Sequence, residues 1–370
     1  MPGGMTVFTG LLVLVGLSLL LWLGLVGLAV VRKLRRDRRE LRSSERRVRY
    51  EAVLRSTDSE ALGAIFTEAA GAAAQIDLAV AIDAVHPYLS RQRMAAVGRA
   101  LEASALYDEL LVGLSSRRAT TRARSALLLT RPGLDAVVER IVPLLGDPDP
   151  DVRLVACSGL ARAATPRAAE ILICGLVAQA LPPERIIERL GAPWAVSTIL
   201  SALERERSFY ADADCAEPAP GGRRVELEAS LARSLGVAGD PRAVEALLGL
   251  LRSDSVEVRI SAARALGRVG GTACVPSLVE VLDADAWPVR AQAAKSLGAL
   301  GAVVALEPLE HCLADRAWWV RTNAARALRE LGEPGIEALR RALEHDDRYA
   351  ADRAREQLAL HQAFEEHAAA

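Results

Sequence analysis

The segments VRISAARALGRVG (Val258–Gly270), VRAQAAKSLGALG (Val289–Gly301) and VRTNAARALRELG (Val320–Gly332) superimpose at a shift of 31 residues. One period earlier, LEASLARSLGVAG (Leu227–Gly239) fits the same register, with Glu228 at the arginine position. In each unit the apolar first residue, the alanines at i+4 and i+5 and the leucine at i+8 fall on one face of a helix. Alanines on that face let a partner helix approach closely, and the closing glycine is a C-cap signal in the left-handed region.

A second apolar helix follows each glycine: AVEALLGLL (Ala243–Leu251), CVPSLVEVL (Cys274–Leu282), ALEPLEHCL (Ala305–Leu313) and IEALRRAL (Ile336–Leu343). Turns bearing Asp254, then Asp283 and Asp285, then Asp315 lead to the next unit. A helix–turn–helix unit repeating at this period predicts an all-α solenoid of antiparallel helix pairs. Upstream the pattern decays. DVRLVACSGLA (Asp151–Ala161) keeps Val152, Arg153, Ala156 and Leu160 in register, and shifts of 31 reach TRARSALLL (Thr121–Leu129) and SRQRMAAVG (Ser90–Gly98). The expected organisation is degenerate repeats over 55–207, a Pro/Gly/Asp-rich linker or hinge over 208–224, and clear repeats with a capping helix over 225–364.

These residues resemble HEAT repeats of the short bacterial class named after phycobilisome-lyase-like proteins. The D-x-x-V-R-x-x-A-A-x-A-L-G-x-x-G pattern carries the resemblance, best at Asp285–Gly301, where the Asp lies four residues before the Val. The resemblance implies a HEAT-type fold. It leaves function open, because the family holds scaffolds, lyase subunits and a metal-dependent hydroxylase. Hydroxylase members bind iron through paired His-Glu motifs. The five histidines here (86, 311, 345, 361 and 367) form no His-Glu dipeptide, which disfavours that activity.

Outside the repeats, residues 6–31 (TVFTGLLVLVGLSLLLWLGLVGLAVV) carry no ionisable side chain, long enough for a transmembrane helix ahead of the solenoid. Residues 32–49 hold ten Lys/Arg against three Asp/Glu, a local net of +7 within a basic juxtamembrane helix expected over 32–54. Arg32, Lys33, Arg35, Arg36, Arg38 and Arg39 are the expected membrane-surface contacts. The positive-inside rule then predicts a single-pass protein of the cell membrane, with a short N-terminus outside and a cytoplasmic solenoid. The whole chain has 46 basic and 47 acidic residues, so the remainder holds 36 against 44, a net of −8. Such a body would be repelled by phosphates, and no nucleic-acid partner is expected.

No HExxH, GxSxG, phosphate loop or strand-associated GxGxxG occurs, and no enzymatic activity, metal or cofactor is expected. Cys157, Cys274 and Cys312 stand at packing positions and read as small buried hydrophobes. Two features point to function. Arg259, Arg290 and Arg321 recur every 31 residues beside the turn aspartates, with Arg153 in the same register. They read as a structural Asp–Arg ladder between repeats, with a site for an anionic ligand as the alternative. The second feature is aromatic: Trp287 and Trp318 lie one period apart, and Trp319 matches Tyr349 of the next unit. Trp and Arg are typical interface anchors, so this rim is a candidate partner-binding surface; packing of each ring over the neighbouring repeat is the competing reading. The leading expectation is a membrane-anchored scaffold or adapter that binds an unknown, membrane-associated protein. The alternatives are an accessory subunit of a membrane enzyme complex or a lyase-type HEAT protein, with nucleic-acid binding a distant third.

Overall fold

The structure is a computed structural model and describes residues 32–33, 35–69, 71–132, 135–177, 182–204 and 221–369. Among these residues the secondary structure is helical throughout. Helix α1 spans 35–55. It is followed by α2 (Ser59–Glu68), α3 (Ala72–Val85), α4 (Arg91–Glu102), α5 (Ala105–Gly113), α6 (Ala119–Thr130), α7 (Val138–Ile141), α8 (Pro150–Ala163), α9 (Pro166–Val177), α10 (Pro183–Leu190) and α11 (Val196–Glu204). The C-terminal block pairs α12 (Gly221–Ala238) with α13 (Val244–Leu250), α14 (Val256–Val269) with α15 (Val275–Glu280), α16 (Trp287–Ala299) with α17 (Leu306–His311), and α18 (Trp318–Glu330) with α19 (Glu333–Arg341). A last helix, α20 (Arg348–Ala369), closes the array. Helix α12 begins at Gly221, inside the stretch read as a linker; residues 205–220 lie outside the described residues.

The first helices of successive pairs, α12, α14, α16, α18 and α20, pack side by side, and each second helix packs against the first helix of the following pair. Leu235, Leu266, Leu297 and Leu328 are fully buried at intervals of 31 residues, with Ala262, Ala293 and Ala324 beside the last three. Each such leucine contributes roughly 1.5–3 kcal/mol of burial. Gly239, Gly270, Gly301 and Gly332 take φ between +63° and +81°, the left-handed turn that ends each first helix. In the N-terminal block the same place is held by Ala164 at φ 54°, a backbone state that disfavours a Cβ.

A second glycine column, one turn earlier, sets how close the first helices come. A Cβ on Gly236 would lie 2.8 Å from Ala265 Cα, and one on Gly298 would lie 2.7 Å from Ala327 Cα. Gly267 faces Ser296 with similar closeness. The next position in the column is Arg329, whose Nε reaches across to Gln357 Oε1 of α20 at 3.0 Å. The close contact gives way there to a polar bridge.

Two expectations about the N-terminal region change. Among the described residues no helix is long and apolar enough to cross a membrane. The expected single-pass membrane localisation is therefore corrected, and the 6–31 stretch on which it rested lies outside the described residues. The basic helix is also more than a charged collar, because α1 docks on the solenoid. Asp77 of α3 is 2% exposed and accepts hydrogen bonds from Ser43 Oγ, from Arg46 Nε and Nη2 at 2.9 and 2.6 Å, and from Arg47 Nε at 2.9 Å. Burial pushes the Asp77 carboxyl up, but these donors outweigh it and hold the group below its ordinary range. Tyr50 and Leu54 are fully buried beneath the same helix, and Arg93 caps its C-terminal end through the carbonyls of Leu54 and Val53. Lys33 and Arg32, Arg35, Arg36, Arg38 and Arg39 remain exposed.

Candidate functional site

The turn between repeats is built around one arginine used the same way each time. Nη1 of Arg122, Arg153, Arg259, Arg290 and Arg321 donates to the carbonyl six residues earlier, on Ser116, Asp147, Ser253, Ala284 and Asp315 respectively, at 2.7–2.9 Å. Each arginine thereby ties the start of its own helix to the turn before it. Arg122 belongs to this set and was not singled out from the sequence, although the 31-residue shift to Thr121–Leu129 places it there.

The second use of the guanidinium differs between repeats. Arg290 Nε and Nη2 donate to the two oxygens of Asp315 in the next turn at 2.7 and 3.0 Å, and Arg122 grips Asp147 likewise at 2.7 Å on both oxygens. Such forked pairs are geometrically specific as well as charge-assisted. Arg290 is 6% exposed under this lid. Asp315 Oδ1 also accepts the Ala317 N–H at 2.7 Å. Burial pushes the Asp315 carboxyl up, yet Arg290 and that N–H hold it below its usual range; the donors on Asp147, Arg122 foremost, do the same there.

The other rungs are open. Opposite Arg259 the acceptor position is Ala284, and opposite Arg321 it is His345, whose Nδ1 accepts the Asp347 N–H at 2.9 Å. Nε of Arg259 and of Arg321 is buried and has no partner among the described residues. The Arg321 guanidinium instead stacks over the Tyr349 ring, 5.0 Å from its centroid. The turn facing Arg153 falls in a stretch outside the described residues.

The aromatic residues sit at the same edge. Trp287 and Trp318 are the first residues of α16 and α18, following Ala286 and Ala317, N-caps without a capping side chain. They are 45% and 46% exposed, Trp319 is 54% and Tyr349 63%. Trp318 and Trp319 meet edge to face with centroids 4.6 Å apart. Val256, one period before Trp287, is 38% exposed and continues the column. The rings therefore form an exposed apolar rim across consecutive turns, and about half of each indole faces solvent.

The other candidates offer little reactive chemistry. Burial pushes the Cys157 thiol up to about 11 and the Cys312 thiol up to about 12, and shifts Cys274 the same way, so none is a ready thiolate at neutral pH. His311 is exposed and lines an open cleft with Asp283, Glu307 and Asp315. Among the described residues no group of three or more His, Cys, Asp or Glu side chains is arranged to hold a metal.

A solenoid of paired helices with an arginine-tied turn defines a helical repeat protein. Residues 223–298 and 275–359 match the family model for HEAT repeats, so the C-terminal block is a run of HEAT repeats. No curated protein matches the chain significantly. Among solved structures, the chain is similar to an engineered protein at 20% identity, covering 85% of this chain and 98% of that one, with a TM-score of 0.32. It is similar to the complex of CpcE and CpcF of phycocyanin lyase from Nostoc sp. PCC7120 at 19% identity, with 82% and 94% covered and a TM-score of 0.26. Human deoxyhypusine hydroxylase is 19% identical, with 75% and 99% covered and a TM-score of 0.30. At such identities and scores, these similarities assign no activity to the chain.

Proposed function

We propose that this protein is a HEAT-repeat scaffold that binds a protein partner along the aromatic rim formed by Trp287, Trp318, Trp319 and Tyr349. The carrying observation is that these rings are exposed on consecutive turns, with about half or more of each in solvent. Indole surface left in water costs free energy, and tryptophans in desolvated pockets dominate binding energy at many interfaces. The ladder of Arg122, Arg153, Arg259, Arg290 and Arg321 is assigned to holding the turns in register, which keeps the rings at a fixed spacing. Unlike loop-borne contacts, Trp287, Trp318 and Trp319 start helices whose other ends are locked by the glycine turns, so little ordering cost accompanies binding.

The test compares affinity capture by the wild-type chain with capture by the Trp287→Ala, Trp318→Ala, Trp319→Ala triple variant, after circular dichroism shows the same helix content. A partner whose direct binding weakens by at least about 100-fold in the triple variant is the expected result, since each anchor is worth roughly 1–2 kcal/mol or more. Equal capture by both proteins would end this reading.

A further inference from the structure

The first helices carry a second column, two turns beyond the rim. Arg233, Arg264, Lys295 and Arg326 follow one another at intervals of 31 residues on α12, α14, α16 and α18. Arg264, Lys295 and Arg326 are exposed and Arg233 is half-buried, and none of the four makes an ion pair with a described residue. Two of them donate to neutral groups: Arg233 Nη2 to Ser230 Oγ at 3.0 Å and Arg264 Nε to Gln292 Oε1 at 3.4 Å. Arg268, one turn on from Arg264, is likewise exposed without an ion pair. Glu330, one turn on from Arg326, does not pair with it either. The column ends at α20, where the matching residue is Glu356, held by Arg353.

About half of the other arginines in the block are, by contrast, neutralised. Arg242, Arg290, Arg340 and Arg341 all hold carboxylates. Outside residues 32–49 the chain is acidic, and the column sets four cations without ion pairs in register across α12, α14, α16 and α18. On α18 the column shares a face with Trp319, seven residues or two turns before Arg326, while Trp287 and Trp318 stand eight residues before Lys295 and Arg326.

We infer that the partner meets this face with an extended acidic segment, its carboxylates on the Arg233–Arg264–Lys295–Arg326 column and its apolar side chains on the tryptophan rim. The inference rests on the rim reading above and adds the chemistry of the partner. Spacing supports it. First helices packed through Gly236, Gly267 and Gly298 lie at roughly 8–10 Å, and an extended chain advances about 10 Å in three residues. In the polyproline II form of an extended chain, three residues make one turn and advance about 9 Å, so a carboxylate at every third position faces the same way and meets one cation per repeat. Duplex nucleic acid, with a charge every ~1.7 Å of axis, matches this sparse column poorly.

The experiment measures fluorescence anisotropy of a labelled peptide about twelve residues long, with glutamate at every third position, serine and glycine between, and one tryptophan near each end. A matched peptide has glutamine in place of glutamate. The full chain should bind the glutamate peptide, more weakly as salt rises, and the glutamine peptide at least ten-fold more weakly. Arg264→Glu with Lys295→Glu should cost at least ten-fold, while Arg252→Glu, at an exposed turn off the column, should leave binding within two-fold. Both variants change exposed side chains, and thermal melts verify that they fold. Equal binding of the two peptides overturns the inference, as does indifference to the charge reversals. So does tighter binding of a 20-base single-stranded DNA that is lost on the same reversals. A partner captured through the tryptophans but unaffected by Arg264→Glu with Lys295→Glu would overturn the acidic-segment assignment alone and leave the scaffold reading standing.

Discussion

Two neighbouring joints of the C-terminal block share one architecture and differ in one side chain. Between α16 and α18 the Arg290 guanidinium is closed over by Asp315, which also accepts the Ala317 N–H. Between α14 and α16 the equivalent arginine, Arg259, faces Ala284, and its Nε has no partner among the described residues. The backbone tie through Nη1 is the same at both, 2.7 Å for Arg290 and 2.9 Å for Arg259. Register in this solenoid is therefore set by the arginine-to-carbonyl tie and by helix packing, and the carboxylate is an added lock. The difference has a simple stability meaning: closing a rung is optional, but opening a closed one strands a buried charge.

Breaking the closed joint gives the largest expected effect. Asp315→Ala leaves Arg290 buried without its counter-ion and removes the acceptor for the Ala317 N–H. A loss of about 3 kcal/mol is expected in denaturant unfolding, near the lower bound for a broken buried pair because Nη1 keeps its two carbonyls. The pH dependence has a definite sign. The Asp315 carboxyl is held below its ordinary value, so its contribution is fully present above an unfolded pKa of about 3.9 and is lost as pH falls through the lower folded value. The gap between wild type and Asp315→Ala should thus stay constant from neutral pH down to about 4 and narrow below it. A gap that narrows between pH 7 and 5 would assign the effect to another group.

The next comparison separates packing from the ladder. Gly298→Ala places a Cβ 2.7 Å from Ala327 Cα, where backbone has to move, and should cost about 1–3 kcal/mol. Gly249, in the last turn of α13, has nothing within 4 Å of its would-be Cβ, so Gly249→Ala should stabilise by about 0.4–1 kcal/mol. Opposite signs for one chemical change in a single block would show that α16–α18 contact, not helix propensity, is what the glycine serves. Both variants gaining stability would mean that the first-helix layer is looser than these distances imply.

How far the sequence reaches follows from these residues. The 31-residue period makes the helix pairs, the left-handed glycines and the buried leucines legible, because each is a local rule repeated in place. The glycine column at 236, 267 and 298 is visible as letters, yet its purpose depends on what lies opposite, which only the packed helices reveal. The ladder is half legible: Arg259, Arg290 and Arg321 look equivalent, but whether each rung closes depends on a residue about 25 positions later. The basic segment illustrates the limit of charge counting, since Arg46 and Arg47 are committed to a buried Asp77 that no spacing rule connects to them. The rim's aromatic character is plain in sequence, whereas its exposure is a property of the assembled turns.

A gain on the scale of that at Gly249 sharpens the comparison most. Ala284→Asp gives the open joint the residue that closes its neighbour, so the new carboxylate should receive Arg259 Nε and the Ala286 N–H together. Asp283 and Asp285 flank the position and oppose a third charge, which reduces the gain to about 1 kcal/mol. The same substitution in an Arg259→Met background keeps the new helix cap but has no guanidinium to bind. If the gain falls by at least half in that background, the ladder is a set of independent locks on a register fixed by other means, and the open rung is a stability margin the chain leaves unused. An equal gain in both backgrounds would locate the effect in the cap alone. Arg259 would then differ from Arg290 in more than its missing partner, and the equivalence of the two joints would fail.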